Sequence, residues 1–141
     1  MENYEYIKDF HKSGLGLFVH FGLYSVVGKG EWFCYNLRGE AKQQYEQTAR
    51  EFVVDENWAK KLVATAKKTG AKYITLTTRH HDGFSLFDTC GLSDFDAPHS
   101  ASKRDLVAEF VNACNAEGIV PFFYHTLIDW HNADYKNDFA A

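Results

Sequence analysis

At 141 residues the chain is long enough for one domain with a hydrophobic core, and 45% of its residues are apolar. The formal net charge is −4 and both signs are interspersed, so no basic stripe favours a nucleic acid as partner. No apolar run reaches the length of a membrane span, and the acidic start, residues 1–6, is unlike a signal peptide. These features predict a cytoplasmic globular protein that does not contact membranes.

The first half of the chain contains one predicted strand and two predicted helices. The apolar run Leu15–Gly22 is typical of a buried parallel strand and carries His20 near its end. A less regular helical pattern covers Glu40–Arg50. Asp55 is the predicted N-cap of the next helix, and Gly70 follows that helix as its stop.

Two further strands enclose a third helix. A β-type run begins at Tyr73 and leads into the residues His-His-Asp-Gly at positions 80–83. Ser102 is the predicted start of the following helix, and Gly118 ends it. We expect the last strand to begin near Pro121, because proline lacks a backbone N–H and is tolerated close to the first residue of a strand.

The order of strand, helices, strand, helix and strand predicts a parallel, right-handed βαβαβ arrangement. The helix-to-strand connections are short, whereas the connections after the first two strands, residues 22–39 and 82–101, are long. Long loops in a compact domain are usually functional, and α/β barrels build their sites from the loops that follow the strands. The site is therefore predicted at the carboxyl ends of the strands.

Polar rings follow each strand where a site of this kind would lie. They are His20, His80, His81, Tyr124 and His125. Adjacent residues of a regular strand point to opposite faces, so we expect one of the paired histidines to reach the site from the strand and the other from the loop. The alternative is that one of the pair is a structural histidine bound to the backbone.

A metal site is an alternative interpretation of these histidines, because histidine is the commonest metal ligand. Asp129 and His131, which come after the third strand, would add two ligands. The usual spacings, His-x-His on a strand and His-Glu-x-x-His on a helix, are missing. A metal-dependent hydrolase is therefore the less favoured hypothesis.

The dipeptide Glu31-Trp32, in the loop after the first strand, has the composition of a sugar contact. A carboxylate accepts hydrogen bonds from hydroxyl groups while an indole covers the apolar face of a sugar ring. The alternative is a tryptophan that anchors the loop beside a solvated glutamate.

Four polar or flexible residues near the strand ends are predicted to have structural roles. Asp82 and Gly83 are typical of a tight turn, in which the aspartate bonds its own backbone and the glycine adopts a positive φ. Arg79 and Arg104 are candidates for holding carboxylates of the loops.

Five segments taken together resemble successive motifs of the retaining α-L-fucosidases. They are Gly16–Ser25, Gly30–Trp32, Ala71–Phe84, Lys103–Val107 and Tyr124–Trp130. The similarity extends over almost the whole chain, with the motifs in the family's order. The resemblance implies an α/β fold and a partial TIM-like (β/α)8 barrel, in which residues 1–141 are the N-terminal portion of the catalytic domain, roughly its first three βα units. It also implies hydrolysis of terminal α-L-fucosides without a metal or other cofactor.

The resemblance implies that six residues of this chain bind the substrate, a fucosylated oligosaccharide or glycoconjugate. They are His20, Glu31, Trp32, His80, His81 and Tyr124. Two positions depart from the family pattern. Phe21 replaces a tryptophan and is expected to alter the packing beside the sugar, and His125 replaces a small residue and is expected to narrow the pocket.

The resemblance also implies that no catalytic residue lies in the chain, because the family's nucleophile follows the fourth strand and its acid/base lies further along. Retaining hydrolysis needs two carboxyl groups about 5–5.5 Å apart, and a complete barrel needs about 250 residues. We therefore expect the isolated chain to be inactive and to self-associate through open strand edges. The alternative function is a non-catalytic fucose-binding remnant.

Overall fold

The computed structural model describes residues 5–135, so the first four and last six residues of the predicted domain lie outside the description. Its helices and strands, in chain order, are α1 (Glu5–Lys12), β1 (Gly16–Val19), α2 (Leu23–Val27), α3 (Gly39–Gln47), α4 (Trp58–Lys68), β2 (Tyr73–Arg79), α5 (Leu106–Glu117) and β3 (Val120–His125). Two short 3₁₀ turns lie at Phe33–Asn36 and Thr48–Arg50.

The described strands form one parallel sheet in the order β1-β2-β3. In the central strand, Tyr73 pairs with Gly16 on one side and with Val120 on the other. Helices lie between successive strands, as parallel connections require. The predicted parallel βαβαβ arrangement is therefore confirmed, and the carboxyl ends of all three strands point the same way.

One face of the sheet packs against α4 and α5 and forms the hydrophobic core. Ile74 and Leu76 of β2 are fully buried there, together with Val63 of α4 and with Leu106 and Phe110 of α5. Side chains alternate between the two faces of a strand, so this packing fixes which residues of β2 face away from the helices.

The opposite face carries aromatic rings and is closed only near the start of the strands. Phe10 of α1 lies over that end, with its ring centroid 5.6 Å from Tyr73 and 5.7 Å from Phe122. Gly16 faces the Tyr73 ring so closely that a Cβ atom would collide with it. Phe18, two residues further along β1, is 57% exposed. The carboxyl half of this face therefore stays open.

The prediction that Ser102 starts the last helix is wrong. Helix α5 begins at Leu106, and Asp105 is its N-cap, accepting a hydrogen bond from the backbone N–H of Ala108 at 2.8 Å. Lys103 has φ 55°, which is left-handed and breaks a helical path. Ser102 is buried instead, and its hydroxyl donates to the Ala97 carbonyl.

The predicted cap of α4 is also displaced. Asn57 is the N-cap residue, and Asp55 accepts a hydrogen bond from the Asn57 backbone N–H at 2.7 Å. The predicted helix at Glu40–Arg50 is confirmed as α3 and the 3₁₀ turn that follows it. Helices α1 and α2 were not predicted, and α2 lies within the long loop after β1.

Candidate functional site

Rings from the three strand ends meet at the open carboxyl edge of the sheet. His20 follows β1, His80 follows β2, and Tyr124 is the penultimate residue of β3. The centroid distances are 5.5 Å between the two histidines, 5.9 Å between His80 and Tyr124, and 6.5 Å between His20 and Tyr124. The predicted convergence of these residues is thus present in the fold.

The adjacent histidines both lie in the turn after β2, with their ring centroids 4.3 Å apart. The Nδ1 atom of His81 is 2.6 Å from the Thr126 hydroxyl, so this ring is fixed by a side chain rather than by the backbone. His80 is buried, and among residues 5–135 its Nδ1 has no hydrogen-bond partner. A buried polar atom of this kind is costly unless a ligand or water satisfies it.

The imidazole of His80 is held in its neutral form. Burial, reinforced by the neighbouring His81 and His20, lowers the pKa of His80 to about 4, while Glu31 acts in the opposite direction. Burial also lowers the pKa of His81. A neutral imidazole offers one donor and one acceptor nitrogen, which is the pattern that a hydroxyl group can match.

Glu31 and Trp32 approach the histidines from the loop after β1. The Trp32 indole is 52% exposed, and its ring lies edge-on to His81 and to Trp130, with both centroid distances 5.3 Å. Glu31 is half-buried, and its charge opposes the lowering of the His80 pKa. Trp32 therefore presents an open indole surface beside the rings and is not a buried anchor of the loop.

Two aromatic residues of the site were not identified from the sequence. Tyr24 is buried, with its ring 5.6 Å from His80 and its hydroxyl 3.0 Å from the Thr77 hydroxyl. Trp130 is 7% exposed, and its ring lies 5.2 Å from His81. Tyr24 lies in the segment Gly16–Ser25 and Trp130 in the segment Tyr124–Trp130, and each of these segments also contains a predicted site residue. This closeness in the sequence was the signal that could have identified them.

The predictions for the two unusual positions are wrong. His125 is exposed, and its ring centroid lies 6.0 Å from that of Phe87. It is on the side of β3 opposite Tyr124, because the side chains of adjacent strand residues point to opposite faces. It therefore does not narrow the site. Phe21 packs 5.6 Å from Phe52 in the core and not among the rings of the site.

The tight turn predicted at positions 82 and 83 is confirmed. Asp82 is 2% exposed and accepts hydrogen bonds from the Tyr45 hydroxyl at 2.6 Å and from the Phe84 backbone N–H at 3.3 Å. Gly83 has φ 84° and donates its N–H to the His80 carbonyl at 3.0 Å. Burial raises the pKa of Asp82 to about 6, although the two hydrogen bonds oppose that rise.

The two arginines hold carboxylates of different kinds. Arg79 binds Asp129 in the segment after β3, with 2.6 Å between Nη2 and Oδ2, as predicted for a loop carboxylate. Arg104 binds Glu109, with 2.6 Å between Nε and Oε1, but this carboxylate belongs to α5 and not to a loop.

Asp129 and His131, the two ligands that the metal hypothesis would add, are each bound to another side chain. Asp129 binds Arg79, and the Nδ1 of His131 lies 2.9 Å from the Glu46 carboxylate. Within residues 5–135, no three His, Cys, Asp or Glu side chains are placed to hold a metal ion. In the same part of the chain, no helix combines the length and apolar character needed to cross a membrane.

The site as built suits a ring that carries both hydroxyl groups and an apolar face. Two imidazoles and a phenol, from His20, His80 and Tyr124, are groups that can donate and accept hydrogen bonds, and the carboxylate of Glu31 is a group that can accept them. The open indole of Trp32 supplies an apolar surface at the rim. A sugar has this combination of groups.

Comparisons with known proteins agree with this chemistry. The model of the alpha-L-fucosidase family matches residues 1–141. The tissue alpha-L-fucosidase of Macaca fascicularis is 31% identical over 155 aligned positions, which cover 94% of this chain and 32% of that protein. The chain thus spans about a third of the length of the curated relatives it matches.

Solved structures resemble the fold closely. Alpha-L-fucosidase isoenzyme 1 from Paenibacillus thiaminolyticus gives a TM-score of 0.83 at 37% identity, over 92% of this chain and 30% of that one. A Bacteroides thetaiotaomicron alpha-L-fucosidase, trapped as a covalent intermediate with 2-fluoro-fucosyl fluoride, gives 0.83 at 31% identity, over 96% of this chain and 33% of that one. The catalytic domain of such enzymes is a TIM-like barrel, and the three-stranded parallel sheet is consistent with part of one.

Proposed function

The chain belongs to the alpha-L-fucosidase family, and from that premise we propose that it recognises the sugar in an enzyme that releases terminal α-L-fucose from fucosylated oligosaccharides or glycoconjugates. The observation that carries the proposal is the meeting of His20, His80 and Tyr124, whose ring centroids lie within 6.5 Å of one another at the carboxyl ends of parallel strands. In α/β barrels this edge is where substrates bind.

Each site residue has a role in this proposal. His20, His80 and Tyr124 exchange hydrogen bonds with the sugar hydroxyls. His81, fixed by its contact with the Thr126 hydroxyl, presents its other ring nitrogen. Glu31 accepts a hydroxyl hydrogen bond, and Trp32 covers the apolar face of the sugar.

The proposed reaction is hydrolysis with retention, through a covalent fucosyl-enzyme. The trapped covalent intermediate of the Bacteroides relative supports this route. Such a mechanism needs two carboxyl groups about 5–5.5 Å apart. We assign neither of them to residues 1–141, because the motifs that the chain matches end after the third strand and the family's two carboxyl groups follow later strands. Asp82, which lies next to the histidines, is buried and bonded to Tyr45 and Phe84.

In this proposal residues 1–141 are the first three βα units, roughly, of a (β/α)8 barrel. Alone, they release no fucose and associate through the two outer strands of the sheet, where Phe18 of β1 is 57% exposed and Phe123 of β3 is 51% exposed. The cytoplasmic location stays a prediction from the sequence.

A hybrid enzyme tests the proposal. Residues 1–141 would replace the corresponding part of the Paenibacillus enzyme, to which they are 37% identical, and the hybrid would be assayed with 4-nitrophenyl α-L-fucoside. We expect turnover by the hybrid and none by the isolated chain. His80→Ala and Glu31→Gln should each lower kcat/KM about 10- to 100-fold. His80→Ala removes the imidazole with all of its contacts to the sugar, and Glu31→Gln replaces a charged acceptor, whose hydrogen bond is worth about 1.5–3 kcal/mol, with a neutral one.

Two results would contradict the proposal. A hybrid with native circular dichroism whose His80→Ala and Glu31→Gln variants keep unchanged kinetic constants would remove the sugar-contact assignment. Sustained release of 4-nitrophenol by a mass-verified sample of the isolated chain would show that residues 1–141 contain catalytic groups.

A further inference from the structure

The carboxylate of Asp82 lies in the turn that carries the two histidines, but it has almost no contact with solvent. It is 2% exposed and its hydrogen bonds are made within the protein, so we assign it no contact with a sugar. Both of its oxygens accept hydrogen bonds: Oδ1 from the Phe84 backbone N–H at 3.3 Å and Oδ2 from the Tyr45 hydroxyl at 2.6 Å. Tyr45 is 3% exposed and belongs to α3, 37 residues earlier in the chain.

Helix α3 also binds the segment on the other side of His81. Lys42 of α3 donates to the Trp130 carbonyl at 2.5 Å, and the Trp130 N–H donates to the His81 carbonyl at 2.8 Å. The turn and the Trp130 segment are therefore both bonded to α3, one through Tyr45 and the other through Lys42.

An ionised carboxylate at the buried position of Asp82 lowers the stability of the fold, so its presence needs an explanation. Burial penalises the ionised form of a carboxyl group, and the raised pKa of Asp82 reflects that penalty. An asparagine would avoid the penalty, but it has one acceptor oxygen where two donors, the Tyr45 hydroxyl and the Phe84 N–H, point at the side chain. The aspartate satisfies both donors at once.

We propose that Asp82 is a positioning residue, which fixes the His80–His81 turn against α3 through Tyr45 and so orients the two imidazoles for the sugar. The inference rests on the proposed function, because the sugar is what the imidazoles are oriented to bind. Asp82 acts through the histidines and makes no contact with the substrate.

The first test reads the histidine rings without any sugar. Proton–nitrogen correlation spectra of the imidazoles would be recorded for the 141-residue chain and for its Asp82→Asn and Tyr45→Phe variants. We expect the His80 and His81 signals to shift in both variants. Tyr45→Phe removes only a hydroxyl, so it tests the same bond if Asp82→Asn unfolds.

A matched control comes from a second buried aspartate, Asp96, which does bind a histidine. Asp96 is fully buried, and its carboxylate lies 2.7 Å from the Nδ1 of His99. The Asp96→Asn variant should move the His99 signals and leave those of His80 and His81 in place. Unchanged His80 and His81 signals in both Asp82→Asn and Tyr45→Phe would overturn the inference.

The second test measures kinetics in the hybrid enzyme. A misplaced binding group costs up to on the order of 10²-fold in rate, so we expect Asp82→Asn and Tyr45→Phe to lower kcat/KM at least about tenfold. The double variant should lose no more kcat/KM than the more damaging single variant, because both substitutions remove the same hydrogen bond, the one between Tyr45 and Asp82. Folded single variants with the kinetic constants of the parent would contradict the positioning role.

The two tests separate this inference from the proposed function. If the folded hybrid with the native residues shows no turnover, the proposed function fails, and the histidine spectra still decide whether Asp82 orients the rings. If the hybrid is active and the spectra do not respond to Asp82→Asn or Tyr45→Phe, the function stands and the positioning role falls.

Discussion

Arg79, the last residue of β2, and Asp129, in the segment after β3, form an ion pair with 2.6 Å between Nη2 and Oδ2. The two side chains are only 18% and 23% exposed, so water screens the pair little. The pair joins the segments that follow two neighbouring strands, and these segments contribute His81 and Trp130 to the site. The shape of the site therefore depends on a contact outside it.

Removal of the Asp129 charge should destabilise the fold. Asp129→Asn leaves the Arg79 guanidinium partly buried without its counter-ion, and we expect a loss of about 1–3 kcal/mol in the free energy of unfolding. The matched control is Glu117→Gln, which breaks an exposed pair with Lys67, in which the side chains are 52% and 49% exposed. The control should lose clearly less, because water screens an exposed ion pair. Equal losses in urea unfolding would contradict the role of the buried pair.

Gly83 should tolerate a methyl group worse than Gly91 does. Both have a positive φ, 84° and 82°, so an alanine at either position costs about 1–2 kcal/mol. At Gly83 the added Cβ would also meet the Asp129 carboxylate and lie 2.8 Å from the Cβ of His131, whereas at Gly91 nothing lies within 4 Å. We expect Gly83→Ala to cost about 1–3 kcal/mol more than Gly91→Ala, and similar midpoints in urea would refute this.

The stability difference between the native chain and its Asp82→Asn variant should depend on pH. The folded state raises the pKa of Asp82 from its ordinary 3.8 to about 6, so between these values the folded state binds more protons than the unfolded state. Stability contributed by Asp82 is thus present below pH 4 and is lost as the pH rises through 6. The advantage over Asp82→Asn should shrink by about 2 kcal/mol from pH 4 to pH 7, as measured by urea unfolding. A constant difference would contradict the raised pKa.

Substitution of the two tryptophans at the site should affect different quantities: Trp130→Ala the free energy of unfolding, and Trp32→Ala the recognition of the sugar. Trp130 is 7% exposed, so Trp130→Ala should cost about 3–5 kcal/mol in unfolding free energy. Trp32 is 52% exposed, so Trp32→Ala should cost only about 1 kcal/mol. In the hybrid enzyme, Trp32→Ala should nevertheless lower kcat/KM at least about tenfold, because the sugar loses its apolar contact. A folded Trp32→Ala hybrid with unchanged kinetics would remove Trp32 from the site.

A chelator should leave the hybrid enzyme unaffected. His131 binds Glu46 and Asp129 binds Arg79, so neither is available to complete a metal site with the histidine rings. We expect the same turnover before and after dialysis against EDTA, and no stoichiometric zinc or manganese in elemental analysis of the purified chain. Loss of turnover that added zinc or manganese restores would favour the metal-dependent alternative.

The sequence by itself determined that the strands run parallel and predicted the end of the sheet at which the candidate site lies. Short apolar runs that end in polar rings mark the strands, and the helical patterns between them require parallel connections, so His20, His80 and Tyr124 had to reach one edge. The turn at Asp82 and Gly83 was equally readable, because aspartate and glycine favour it through local bonds and a positive φ.

Only the tertiary structure decided which neighbouring side chains enter the site. Tyr124 and His125 are adjacent, and the pairing of β3 with β2 turns the first to the site and the second away from it. Trp130 joins the rings because hydrogen bonds to His81 and Lys42 fold its segment back. These outcomes depend on contacts between residues far apart in the chain, whereas propensity and periodicity report only on neighbours.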